Sequence, residues 1–162
     1  MSDFPRTLKI ATVWLVLGVL VFIGLRGWEQ RRLQTRFHAS GGTIELRRNA
    51  DGHYHWPGSI NGHAVDFLID TGATGTAIPQ ALAKKLRLPT LGHVQSSTAG
   101  GVVVGDLVRA NLALKGGVRV DRLPVTALAG LSDHPLLGMD VLSKLRWQQR
   151  DGLLTIDTGT SR

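Results

Sequence analysis

No cysteine occurs anywhere in the chain, which excludes disulfide staples, thiolate nucleophiles and sulfur-ligated metals. That absence leaves the redox compartment open. No Gly-x-Ser-x-Gly elbow accompanies the serines and histidines, so an α/β-type serine hydrolase has no footing. Nor does the globular part carry a basic stripe interleaved with aromatics, the footprint of a nucleic-acid surface. Acidic residues are the scarcer charge, twelve against nineteen Lys and Arg, for a formal net charge of +7. The excess is uneven: residues 1–36 hold six basic and two acidic residues, the remainder thirteen and ten. Such clustering near the N-terminus suits anionic lipid head groups better than a nucleic-acid groove.

Charge is missing altogether from Ile10 to Leu25, and Leu8 to Leu25 contains only Lys9. This run falls slightly short of the ~20 residues that cross a hydrocarbon core. Trp14 and Trp28 lie near its ends, where interfacial aromatics are favoured. A cleaved signal peptide would need a small-x-small site after Leu25, but Arg26, Gly27, Trp28 and Glu29 follow instead. The expectation is a cytoplasmic tip and single-pass anchor over 1–29, with residues 8–25 in the bilayer. A polar, basic, Gly-ended tether follows over 30–42, and then a folded domain over 43–162.

That domain reads as short strands and turns. Thr43–Leu46 alternates, Asn49–Gly52 turns, and His53–Trp56 continues the hairpin. Asn61-Gly62 is a second hairpin turn. It feeds an apolar strand, Val65 to Ile69, that ends at Asp70. Pro79–Leu86 has the composition of one short helix. Val102–Leu114 and Val118–Leu128 are longer strands joined through Lys115-Gly116-Gly117. Met139–Leu145 makes a helical turn, and Asp151-Gly152 joins two last strands. The pattern implies an all-β, barrel-like domain with one or two short helices.

Asp70 is the residue that needs explaining, since a charge at the end of an apolar strand is costly without partners. Gly72 permits a turn there, and Thr71 and Thr74 place hydroxyls on either side. On composition alone, a strand end with an Asp-initiated turn serves equally well. Phe67-Leu68-Ile69-Asp70-Thr71-Gly72-Ala73-Thr74, however, resembles the active-site loop of the aspartic proteases. Pro135-Leu136-Leu137-Gly138 resembles the second signature of that family, an apolar pair then Gly. Between them, Ser97-Thr98-Ala99-Gly100-Gly101 sits where retroviral-type proteases carry a flap. The resemblance spans Gly52 to Ile156 and is nearest to the bacterial, membrane-tethered, retropepsin-like enzymes. Asp-Thr-Gly alone is a weak signal; with Leu-Leu-Gly at the right distance it is strong.

The resemblance implies a retropepsin-like barrel hydrolysing peptide bonds with no cofactor and no metal. It assigns Asp70, Thr71 and Gly72 to catalysis, and Ala73, Thr74, Ala99, Gly100 and Gly101 to substrate binding. In the family the Thr71 position cross-links two loops, Gly72 leaves room for substrate, and Thr74 bonds the outer carboxylate oxygen. The mechanism needs two carboxylates sharing one proton, and a domain of this length carries one such loop. A homodimer is therefore expected, with a peptide or protein as substrate and no nucleic acid. The tethered relatives imply a bacterial inner membrane with the domain in the periplasm. Arg26, Arg31, Arg32 and Arg36 after the span would, by the positive-inside rule, favour the cytoplasm. An inactive peptide-binding or dimerisation module on the same fold is the alternative.

Three decoys compete. Asp157-Thr158-Gly159 repeats the signature, but too little chain follows for a second lobe. His53 and His55 share a strand face and His63 is nearby, yet no further ligand is placed by spacing, so surface histidines are expected. Gly100, Gly101 and Gly105 lack the Lys-Ser/Thr and helix of a phosphate loop.

Overall fold

The computed structural model describes residues 6–33, 36–38, 42–98, 101–131 and 133–159, with side chains at 12–26, 42–96, 101–131 and 133–159. The chain divides into two units, Met1–Gln34 and Thr35–Arg162. The first contains helix α1 (Arg6–Leu33), which no proline interrupts. Its large apolar side chains between Val13 and Leu25 are solvent-exposed, by 47% to 68%. Among the described residues no helix is long and apolar enough to cross a membrane. The spanning helix expected at 8–25 is thus not shown.

The second unit is all-β with two short helices. Strands β3 (His55–Ile60) and β4 (His63–Ile69) form a hairpin whose register is Ile60↔His63. The turn between them places Asn61 at φ 48° and Gly62 at φ 82°, the left-handed pair that Asn-Gly favours in two-residue hairpins. β7 (Gly101–Leu114) and β8 (Val118–Leu128) pair antiparallel across Lys115–Gly117. β5 (Ala77–Pro79) pairs parallel with β8, and β9 (Leu136–Leu137) pairs parallel with β4. Since β5 also meets β9 and β3 meets β7, the order β8-β5-β9-β4-β3-β7 closes back on β8. β1 (Arg36–His38) and β6 (Gly92–Thr98) extend this ring.

Closure leaves the inward side chains in one core. Trp56, Ile60, Phe67, Ile78, Val118, Val125 and Leu137 are fully buried in it. The Trp56 indole N–H donates to the Lys115 carbonyl at 2.9 Å, which satisfies its polar edge. β2 (Thr43–Arg47), β10 (Arg146–Arg150) and β11 (Leu153–Asp157) form a separate three-stranded sheet, ordered β10-β11-β2.

One expectation needs correcting. β2 and β3 are not a hairpin; a single Arg48–Tyr54 bridge joins their ends. β2 pairs instead with β11, where Ile44 faces Ile156 and Leu46 faces Leu154. Those apolar cross-strand pairs supply contacts that the polar turn at Asn49–Gly52 lacks. The helices are α2 (Gln80–Lys85) and α3 (Met139–Leu142), both shorter than the sequence pattern implies.

Candidate active site

Asp70 immediately follows β4, and the strand end is stitched from both sides. Ile69 N–H donates to the Tyr54 carbonyl at 2.9 Å, and Asp70 N–H donates to Leu137 on β9 at 3.1 Å. The Asp70 side chain, half-buried, accepts from the Gly72 N–H at 2.9 Å through Oδ1. A Cβ on Gly72 would lie 3.2 Å from that oxygen, so glycine leaves room for the carboxylate itself. Thr71 and Gly72 are exposed and Ala73 is half-buried. Thr74 is exposed too, and its backbone carbonyl accepts from Asp140 N–H at 3.1 Å.

The loop is held from behind by the residues that follow β9. Met139 N–H donates to the Ala73 carbonyl at 2.8 Å. Asp140, in the first turn of α3, accepts the Thr76 N–H at 2.9 Å and its hydroxyl at 2.8 Å, one on each carboxylate oxygen. Its own helix adds the Val141 N–H at 3.0 Å. Thr76 Oγ1 accepts in turn from Gly138 N–H at 3.3 Å. Thr76 is only 1% exposed and Asp140 is half-buried, so these bonds are partly shielded from water, which strengthens charge-assisted contacts. Gly138 itself must be glycine: a Cβ there would lie 2.5 Å from the Gly75 carbonyl carbon and 3.0 Å from the Ala73 oxygen. The second signature therefore works as a cradle for the first. Sequence reasoning gave Asp140 and Thr76 no role in the site, although a carboxylate just after an apolar-Gly strand end was a usable signal.

The flap expectation falls on the hairpin of β6 and β7, whose register closes at Thr98↔Gly101. Ala99 and Gly100 lie outside the described residues; Gly101 opens β7 at φ 111°. Val102 and Val104, 67% and 64% exposed, put two apolar side chains in solvent just beyond the tip. Gly105 sits within β7, where a Cβ would lie 2.6 Å from Thr126, so Gly101 and Gly105 belong to a strand of a β-hairpin rather than to a phosphate loop.

The repeated signature has a different fate. Gly159 N–H donates to Asp157 Oδ1 at 2.8 Å, the same local turn as at Asp70. Thr158, however, is fully buried, and its hydroxyl lies within hydrogen-bond reach of the Gly42 and Gly116 carbonyls.

The three histidines singled out by sequence do not meet. His53 is exposed and His63 Nε2 lies 3.4 Å from Lys85 Nζ. His55 instead faces Asp51 and Asp66 at 2.7 and 3.0 Å, with His134 edge-on at 5.1 Å between ring centroids. Burial pulls the His55 pKa down, but the bonds to Asp51 and Asp66 outweigh it and leave the imidazole above its ordinary value. Asp51 is held below the usual carboxylate range, first by the His53 backbone N–H and next by His55.

A profile of the gag-polyprotein aspartyl protease family matches residues 56–144, and the chain belongs to that family. Its fold is similar to that of a retropepsin-like aspartic protease from Rickettsia conorii. That match has a TM-score of 0.58 and 22% identity over 75% of this chain and 94% of the other. The Simian Foamy Virus (mac) protease aligns at a TM-score of 0.43 and 20% identity, over 55% of this chain and 91% of its own. A search of curated proteins finds no match. The domain is thus a retropepsin-like, all-β barrel of the aspartic protease family.

Proposed function

We propose that this chain is an aspartic endopeptidase active as a homodimer, each copy contributing one Asp70. The observation that carries this reading is the state of the carboxylates. Asp70 has one oxygen held by Gly72 N–H, on a loop whose next two residues are exposed. Asp140 has both oxygens engaged by Thr76, and Asp157 belongs to a sheet strand whose neighbour Thr158 is buried. Neither is free to share a proton with Asp70. A two-fold axis supplies the missing partner by bringing Asp70 against its own copy.

In such a pair one carboxylate stays ionised and draws a proton from water as it attacks the scissile carbonyl. The protonated partner donates to the carbonyl oxygen, so the charge that develops there is neutralised. Thr71, exposed at the loop tip, would bond across the axis. The β6–β7 hairpin, with Val102 and Val104 outward, would cover an extended peptide through its backbone edge and apolar side chains.

We further propose that α1 anchors the protein in a bacterial inner membrane, with the domain in the periplasm. The uncharged run Ile10–Leu25 and its exposed apolar side chains support the anchor. A shared bilayer raises the effective concentration of protomers and so favours pairing.

The test is peptide cleavage by the full chain in detergent, measured alongside its oligomeric state. Cleavage should appear with the dimer and persist in chelator. Peptides whose central hydroxyl mimics the tetrahedral intermediate should block it. Mixed dimers of wild-type and Asp70→Asn chains should be nearly inactive; half activity in them would overturn the two-chain site.

A further inference from the structure

His55, Asp66 and His134 converge around β4, the strand that Asp70 follows. The strand registers bring them there. β3 and β4 pair Pro57 with Asp66 and His55 with Leu68, so His55 and Asp66 are diagonal neighbours. β4 and β9 run parallel with Leu68 beside Leu136, and the same offset two residues back sets His134 beside Asp66. One ligand atom from each of the three lies within 4.8 Å of the other two.

Hydrogen bonding fixes how each group presents itself. His134 Nδ1 lies 3.2 Å from the Asp66 backbone carbonyl, which can only accept. Nδ1 therefore carries the hydrogen, and Nε2 is left with its lone pair. His55 Nε2 lies 2.7 Å from Asp51 Oδ2 and donates to it, while Nδ1 lies 3.0 Å from Asp66 Oδ2. In a neutral His55 those last two atoms are both acceptors facing one another. Asp66 Oδ1 is buried and has no hydrogen-bond partner. A proton on His55 Nδ1 would relieve the first conflict, but it would leave the buried Asp66 Oδ1 without a partner. One divalent cation answers both, and the exposed His134 Nε2 is free to join it.

We propose that His55 Nδ1, the Asp66 carboxylate and His134 Nε2 form a Zn²⁺ site. Two imidazole nitrogens and one carboxylate oxygen are a borderline donor set that suits Zn²⁺ at about 2.0–2.2 Å. A water takes the fourth position, since His134 and Asp51 are exposed. Both histidines already have the outer partners of a metal ligand: Asp51 holds His55, and the Asp66 carbonyl holds His134. The ion replaces no catalytic group. It ties β3, β4 and the entry to β9 together, the same strands that carry Asp70 and the Leu-Leu-Gly cradle.

Chelator-washed full chain in detergent, titrated with ZnCl₂ at neutral pH, should take up one ion per chain with a rise in melting temperature. Co²⁺ in its place should give the visible absorption of a four-coordinate nitrogen–oxygen site. His134→Ala removes a ligand at an exposed position and should weaken Zn²⁺ binding at least about 100-fold; Asp51→Ala, acting through His55, should weaken it about 10-fold. Removal of zinc should leave the metal-free protein folded and its cleavage chemistry intact. No stoichiometric uptake, or uptake that His134→Ala leaves unchanged, would overturn the site without touching the protease reading.

Discussion

Gly138→Ala is the sharpest probe of how the two signatures cooperate. Gly138 has φ −92° and ψ −177°, an extended conformation open to alanine, so backbone strain is not the issue. Space is. The added methyl would lie 2.5 Å from the Gly75 carbonyl carbon and 2.6 Å from its oxygen, where ordinary contact begins at 3.4 Å. Both groups are backbone, so no rotamer can turn aside, and the loop must retreat by about 0.9 Å. Overpacking of this kind costs about 1–3 kcal/mol. For a domain of this size that lowers the melting temperature by roughly 3–15 °C. The retreat would also pull on the bonds from Gly138 to Thr76 and from Met139 to Ala73, both of which hold the loop. A shift of ~1 Å in a reacting group costs on the order of 100-fold in rate. Thermal unfolding followed by circular dichroism, with kcat/KM on a peptide substrate, reads both effects. Gly92→Ala is the control, because nothing lies within 4 Å of its Cβ position and it should match wild type. A Gly138→Ala protein with wild-type melting and turnover would refute the idea that close approach of β9 positions the loop.

Other perturbations follow from the same geometry. Asp140→Ala strands the buried Thr76 N–H, which costs about 1–3 kcal/mol, and should lower turnover as well. Asp140→Asn keeps one acceptor and should recover part of both losses, so equal damage from the two variants would count against the clamp. Asp70→Asn should leave the fold and the dimer in place while cleavage falls by orders of magnitude; Asp157→Asn should leave turnover nearly unchanged. Loss of cleavage in a folded Asp157→Asn protein would mean that the wrong signature was chosen. The full chain should resist alkaline extraction from membranes, and inserting two arginines within 13–22 should release it. Extraction of the wild-type chain at alkaline pH would remove the anchor.

The local architecture was largely legible because its signals were chemical and short-range. Asn61-Gly62, Lys115-Gly116-Gly117 and Asp151-Gly152 each lie between paired strands, and each places residues at positive φ. Partner choice was not legible in the same way. β2 ends at a turn that points toward β3, yet it pairs with β11, more than a hundred residues away. Nothing local distinguishes Ile44 and Leu46 as partners of Ile156 and Leu154 rather than of a nearer strand. The convergence of His55, Asp66 and His134 escaped for the same reason. Periodicity put two histidines on one strand face, but His134 reaches that face only through the parallel register of β4 and β9. Asp140 was visible as a charge, and its work on Thr76 depends on that same strand crossing.

The two Asp-Thr-Gly runs show where local sequence stops deciding function. Both make the same turn, with the glycine N–H donating to the aspartate at 2.9 Å in one and 2.8 Å in the other. That much is a property of the tripeptide. What differs is the threonine. Thr158 is fully buried and faces the carbonyls of Gly42 and Gly116, so its hydroxyl is spent inside the chain. Thr71 is exposed and remains available to a second copy. Thr158→Val should therefore lower stability by about 0.5–1.5 kcal/mol, for it removes the hydroxyl's hydrogen bond while the Gly42 carbonyl keeps the Thr158 N–H. Thr71→Val should spare the unfolding of a single chain and weaken dimerisation instead. Sedimentation and melting measured on both variants separate these outcomes. If Thr71→Val destabilised the isolated chain while dimerisation stayed at wild-type strength, the exposed threonine would be a structural residue and the proposed cross-axis bond would be lost.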